Sequence, residues 1–213
     1  RLYIADQSNN RVRMINLGTG IAIVFPRSPM VLAQTAWDLQ AASNGRFILG
    51  LGTEVKGHNE RRFGVKWEHP TPKLREMILM MRAIWDCWQN GTRPSFVGKF
   101  YNFTLMTPFF NPGPIEHPHI PIYIAGVNEL ICRLAGELCD GFHIHPLHSV
   151  RYLREAVLPN IEKGAAKTSR GLSEVALSML LLAGAGLLLG SYLRLGRVGP
   201  GFGPNAVLAP SLS

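Results

Sequence analysis

The sequence predicts an α/β fold built on parallel strands, because short apolar runs alternate along it with longer segments of helical period. Three stretches carry that expectation. Residues 20–52 read as strand, helix and strand, residues 71–90 hold a long amphipathic helix, and residues 120–166 repeat strand, helix, strand and helix.

The first unit opens with the apolar, β-branched run 20–24. Ser28 then offers a side-chain oxygen to the free amides of a helix start, and Pro29 suits the first turn, where its missing N–H would have no partner. Asn44-Gly45 ends that helix. The next run, Arg46-Phe47-Ile48-Leu49-Gly50-Leu51-Gly52, is apolar without alternation, as in strands covered on both faces. Together these pieces form one βαβ unit, whose crossover is expected to be right-handed.

Thr71 and Pro72 open the second helix, where Leu74, Met77, Ile78, Met81, Trp85 and Trp88 recur at spacings of three and four until Asn90-Gly91 stops it. A stripe of this kind is expected to pack on a sheet rather than to form a cofactor box. Residues 92–119 are rich in proline, glycine and aromatics, and 96–103 read as a hairpin across Gly98-Lys99 within an inserted excursion. A strand at 120–125, a helix at 129–138, an Asp140-Gly141 turn, a strand at 142–145 and a helix at 149–166 follow.

At 213 residues, with 46% hydrophobic and 17% charged side chains, the chain has the composition of one globular domain. Its net charge of +8 would suit phosphates or an acidic surface, but the basic residues are scattered, so no nucleic-acid partner is expected. Cys87, Cys132 and Cys139 are odd in number and form no C-x-x-C pair. They read as buried small hydrophobes in a reducing cytoplasm, not as a disulfide framework or a zinc knuckle. The chain starts at Arg1 without a charged-then-apolar leader, which reads as an incomplete start rather than a secreted one.

Two nucleotide signatures fail. Gly50-Leu51-Gly52 continues as Thr53-Glu54-Val55 with no third glycine, and Gly98-Lys99 is followed by Phe100 instead of Ser or Thr. Neither a dinucleotide fingerprint nor a phosphate loop is present.

Three strings say more. One runs from Gly18-Thr19-Gly20-Ile21-Ala22-Ile23-Val24-Phe25-Pro26-Arg27-Ser28-Pro29 to Ser43-Asn44-Gly45-Arg46-Phe47; the second is His58-Asn59-Glu60-Arg61-Arg62-Phe63-Gly64. The third is Pro121-Ile122-Tyr123-Ile124-Ala125-Gly126, continuing through Leu134-Ala135-Gly136 to Asp140-Gly141-Phe142. In this order, across residues 17–170, they resemble the luciferase-like family of flavin- and deazaflavin-dependent oxidoreductases, its deazaflavin-using branch above all. The resemblance implies a partial (β/α)8 TIM barrel with its active site where the strand C-termini meet the βα loops. It also implies hydride transfer between a small organic substrate and coenzyme F420, a deazaflavin, with FMN as the alternative, and a homodimer if the barrel is complete.

By the same resemblance, Gly20 and Ile21 match a non-proline cis peptide that supports the back of the flavin ring; the alternative is a plain strand with glycine at a close approach. Ala125, Gly126, Val127 and Asn128 match the turn that holds the cofactor phosphate, and free amides at a helix start do attract anions. Asn59 matches a polar residue near the cofactor. Glu54 lies in the loop that carries an acid in some relatives, against the plainer reading of a solvated glutamate. His143 and His145 share one face of a strand and are expected at the barrel mouth as catalytic or contact residues, or else as satisfied core histidines. A metal on His143, His145 and His148 is not expected, since no carboxylates stand ready to orient them.

The chain also departs from the family. The first two barrel strands are missing before Leu17, and Leu2-Tyr3-Ile4-Ala5-Asp6-Gln7-Ser8-Asn9-Asn10-Arg11-Val12-Arg13 resembles a single NHL repeat of a β-propeller. Residues 1–16 are therefore expected to be foreign to the barrel, residues 17–183 an incomplete barrel, and 184–213 an apolar and then Gly/Pro-rich tail. Residues 174–183 read as a seventh strand. Yet 175–193 carry no charge over nineteen residues, so a tail-anchored, membrane-associated protein is the competing reading, with an NHL-type scaffold fragment as a third.

Overall fold

A computed structural model describes residues 3–6, 11–14, 16–145 and 148–179. At the N-terminus, β1 (Tyr3–Asp6) and β2 (Arg11–Met14) pair antiparallel in a sheet of their own, Tyr3 opposite Met14. The tail 184–213, and most of the apolar stretch 175–193, lie outside the described residues. Among those described, no helix is long and apolar enough to cross a membrane.

The strand expected at 20–24 is two short pieces, β3 (Leu17–Gly18) and β4 (Ala22–Ile23), which flank a cis peptide between Gly20 and Ile21. Both pair in parallel with β5 (Phe47–Gly52). Between them runs α1 (Pro29–Ala42), its start capped by Ser28, whose Oγ accepts from Val31 N at 3.1 Å. Gln40 of α1 is buried and joins three segments: its Oε1 accepts from Phe47 N at 2.9 Å and its Nε2 donates to the His119 carbonyl at 2.6 Å.

After β5 comes a short helix absent from the sequence expectation, α2 (Lys56–Arg61). The long helix α3 (Pro70–Asn90) starts one residue earlier than Thr71-Pro72 suggested, behind His69 in the left-handed region, and ends at Gly91 with φ of 68°. Its stripe is core: Leu74, Met77, Ile78, Met81, Trp85 and Trp88 are all buried. Trp85 Nε1 donates to the Ala33 carbonyl at 3.0 Å, and Trp88 meets Trp37 edge-on with centroids 5.6 Å apart. Each such side chain contributes about 1.5–3 kcal/mol by leaving water.

The excursion forms the hairpin of β6 (Phe96–Val97) and β7 (Asn102–Phe103). Glu76 of α3 holds its turn, accepting from the amides of Lys99 at 2.9 Å, Phe100 at 2.6 Å and Tyr101 at 2.6 Å. One carboxylate therefore satisfies three successive donors that the turn leaves without strand partners.

The second half follows as β8 (Ile122–Ala125), α4 (Glu129–Leu138), β9 (Gly141–Ile144), α5 (Val150–Tyr152), a π-helical segment Leu153–Val157, α6 (Leu158–Ala166) and β10 (Ala176–Met179). The helix expected over 149–166 is thus interrupted by a wider π turn. Residues 176–179 of the uncharged stretch form a strand parallel to β9. The sheet order is β10-β9-β8-β5-β3, with β4 also on β5, all parallel, which is part of a barrel wall.

Alternation sorts the wall's two faces. Leu49, Leu51, Ile122, Ile124 and Phe142 are buried in one core with the helices. The other face carries small and polar residues in registered rows: Gly50, Tyr123, Gly141 and Ala176, then Gly52, Ala125, His143 and Ser178.

Candidate functional site at the strand C-termini

The second row ends where the strands give way to loops, so the face lined by Gly52, Ala125 and His143 opens toward the βα turns. Its glycines are sites of close approach. A Cβ on Gly52 would lie 2.2 Å from Ile21 Cδ1, so Ile21 occupies the space that a side chain at 52 would need. A Cβ on Gly50 would lie 1.9 Å from the Thr19 carbonyl oxygen. Thr19 Oγ1 donates to the Gly50 carbonyl at 2.7 Å and accepts from Gly50 N at 3.0 Å, which fixes the chain just ahead of Gly20.

Asn59 is fully buried on α2. Its Nδ2 donates to the carbonyls of Thr53 at 2.9 Å and Val55 at 3.1 Å, shaping the loop that leaves β5, while Oδ1 is shut off from solvent without a partner. Glu54, in that loop, has φ of 59°, and its Oε2 accepts from Val55 N at 3.2 Å. Its Oε1 lies 3.2 Å from Nδ1 of His58, one helical turn on. Glu54 is thus partly sheltered and paired. The sequence reading passed over His58, although its i+4 spacing from Glu54 was the available signal.

After β8, the chain turns through Ala125, Gly126, Val127 and Asn128 into α4. Asn128 is the helix cap: its Oδ1 accepts from Ile131 N at 2.9 Å. Gly126 has Ile131 against it, 2.4 Å from where a Cβ would stand, and Val127 is exposed. The Tyr152 hydroxyl donates to the Val127 carbonyl at 2.5 Å, a contact that the sequence reading missed because it spans 25 residues. Glu129, at the first helical position, is paired with Arg133 at 2.9 Å.

The histidines divide. His143 is buried on the inner face, its ring 5.3 Å from that of Tyr123, and burial pushes its pKa below the usual imidazole value. The backbone of Thr19 and of Ser178 approaches it and favours the charged form, but neither nitrogen has an aligned hydrogen-bond partner. His145 is exposed beyond the end of β9, with the ring of His148 5.9 Å away. Among the described residues, no three His, Cys, Asp or Glu side chains are grouped to hold a metal ion.

A cleft of about 780 Å3 lies at the other end of the strands, lined by Arg82, Trp85, Gln89, His119, Asp140 and Arg170. It is crossed by structural contacts: Asp140 stands 3.6 Å from both Arg82 and His119, and Arg170 donates to the Cys139 carbonyl at 3.0 Å. Ends of this kind serve stability in barrel folds.

Comparison with known proteins agrees with this geometry. The chain is 43% identical over 186 residues to an uncharacterized protein of Mycobacterium tuberculosis (strain ATCC 25618 / H37Rv), a match covering 86% of this chain and 54% of that one. It is 31% identical over 171 residues to the F420-dependent glucose-6-phosphate dehydrogenase of Nocardia farcinica, covering 78% of this chain and 48% of the relative. The solved structure of an F420-dependent secondary alcohol dehydrogenase with an F420-acetone adduct superposes with a TM-score of 0.66 at 20% identity, over 78% of this chain and 49% of that one. The chain spans about half the length of the curated relatives it matches. The profile of the luciferase-like monooxygenases matches residues 10–183, and with the parallel wall and its open C-terminal edge this makes the chain a member of the luciferase-like monooxygenase family.

Proposed function

We propose that this chain binds a deazaflavin, coenzyme F420, at the strand C-termini, as part of an oxidoreductase acting on a small organic substrate. The family includes F420-dependent and FMN-dependent enzymes. We favour F420 over FMN because the Nocardia farcinica relative is named as F420-dependent. The observation that carries the reading is the orphaned Oδ1 of Asn59, a buried acceptor beside the loop that leaves the Gly52 row. Such an atom calls for a donor, which a ring amide would supply.

The residues present fit such a group. Gly20 and Ile21 would back the ring, held by Thr19 on Gly50 and by Ile21 on Gly52. Asn59 would accept from its edge, and the turn Ala125, Gly126, Val127 and Asn128 would offer backbone amides to its phosphate, although the Asn128 side chain itself is committed to capping. Hydride transfer is the chemistry the ring supplies when bound. The chain's own part is to orient, to exclude water and to move one proton, and Glu54 with His58 at 3.2 Å is the pair placed to do so. His145 would contact substrate from the other side of the mouth. His143, inside the wall, would act on the cofactor only through the Thr19 segment. Three buried free cysteines suit a reducing cytoplasm.

Titration of the chain with F420 and with FMN, followed by cofactor fluorescence, tests this. Saturable binding of F420 that is lost in Gly126→Val, whose side chain must displace Ile131, is the expected result. A folded chain that binds neither would overturn the reading.

A further inference from the structure

The inner face of the wall holds one imidazole deep among the strands. His143 is 8% exposed, and both of its ring nitrogens are shut off from solvent without an aligned hydrogen-bond partner. A buried polar ring in that state costs free energy that an apolar ring of the same size would not.

Two glycines decide where the ring goes. Gly50 and Gly141 flank Tyr123 in one registered row of the sheet. The Tyr123 ring leans over Gly141, 2.6 Å from where a Cβ would stand there, and leaves the hollow beside Gly50 to others. His143, in the next row on β9, reaches across β8 into that hollow. Its Nε2 lies 2.6 Å from the position of a Gly50 Cβ, and the Thr19 carbonyl oxygen lies 1.9 Å from the same point. Imidazole and carbonyl therefore share the space of one missing side chain, with the Tyr123 ring packed against the imidazole at 5.3 Å.

Hydrogen-bond chemistry fixes which atom faces which. A carbonyl oxygen only accepts, so the nitrogen beside it must carry the hydrogen, and a neutral ring then keeps Nδ1 as its acceptor. Burial lowers the His143 pKa, which keeps the ring neutral at pH 7. The residue on the receiving end is already tied to the wall at its other polar groups. The Thr19 hydroxyl joins Gly50 at 2.7 and 3.0 Å, and its amide donates to the Ile48 carbonyl at 3.2 Å. Gly20 and Ile21 come directly after it, and the Ile21 side chain covers Gly52.

We propose that His143, as its Nε2–H tautomer, is a positioning residue: it holds the Thr19 carbonyl in the Gly50 hollow and thereby sets where Gly20 and Ile21 stand behind the cofactor ring. The part played toward the ring rests on the cofactor reading above; the hold on Thr19 does not.

The test separates the two ring nitrogens in the whole chain. An asparagine at 143 ends near the position of Nδ1, while a glutamine reaches that of Nε2. In the native chain the His143 ring 15N resonances should show a neutral ring protonated at Nε2. His143→Asn should shift the amides of Thr19, Gly20 and Ile21 with no cofactor present, and should weaken F420 about tenfold or more, as a small displacement beside a reacting group does. His143→Gln should leave both close to native. Urea midpoints are measured alongside, because under a merely structural role affinity would follow stability, whereas here it follows the reach of the side chain. A native ring protonated at Nδ1, Thr19 and Gly20 amides that ignore His143→Asn, or Asn and Gln variants of an F420-binding chain that bind it alike would overturn the proposal. If neither variant folds, the tautomer in the native chain decides. A native chain that takes up neither F420 nor FMN while its Thr19 amides respond as described would sink the cofactor reading and leave the hold on Thr19 standing.

Discussion

Replacing Gly50 with alanine adds one methyl group where the wall is tightest. The new Cβ would stand 1.9 Å from the Thr19 carbonyl oxygen and 2.6 Å from His143 Nε2. The first neighbour is backbone and cannot rotate away, so the Thr19 segment must shift, and with it go the two Thr19 hydroxyl bonds to Gly50 at 2.7 and 3.0 Å. Overpacking together with these weakened bonds should cost about 2–4 kcal/mol. Urea unfolding of native and Gly50→Ala chains measures it as a fall in midpoint at constant slope. Gly57→Ala is the control: no atom lies within 4 Å of its added Cβ, it sits in α2, and it should gain about 0.5–1 kcal/mol from helix propensity. The reasoning fails if Gly50→Ala unfolds within about 0.5 kcal/mol of the native chain, the range of an ordinary surface change.

Glu76→Ala should release the turn of the excursion hairpin, with hydrogen exchange at Lys99, Phe100 and Tyr101 accelerating together while exchange in the sheet is unchanged. Because burial lowers the His143 pKa below its ordinary 6.5, the unfolded chain takes up the proton first as pH falls. Stability from this group is therefore complete above about pH 6.5 and declines below it until the folded form also protonates, and His143→Gln should flatten that decline in pH-dependent denaturation. Burial pushes the Cys139 thiol up to about 12 and the Cys132 thiol to about 11. A thiol-specific dye should accordingly label none of Cys87, Cys132 and Cys139 in the native chain and all three in denaturant.

The elements that sequence made legible are those set by local rules. Ser28 with Pro29 and the Asn90-Gly91 stop marked two helices because caps and breakers act within a few residues. The spacing of Leu74 to Trp88 marked a buried face because period alone decides which side a helix hides. What escaped was fixed by distant partners. The break at Gly20 and Ile21 shows in the pairing of β3 and β4 with β5, and only the family resemblance pointed to it. Glu76 looks like one more surface glutamate until the hairpin turn meets it, and the tie from Tyr152 to Val127 depends on a π turn that propensity does not encode. At the site, positions on strand ends were readable and side-chain duties were not: Asn128 proved to be a cap, and His143 lies inside the wall.

Backbone amide NMR of the chain during titration with F420 tests the central claim most directly. The account predicts that saturation perturbs the amides of Gly20, Ile21, Asn59, Ala125, Gly126 and Val127 together, along one binding curve, while those lining the cleft around Arg82 and Asp140 stay still. Perturbation confined to that opposite cleft, or none at saturating cofactor, would contradict it.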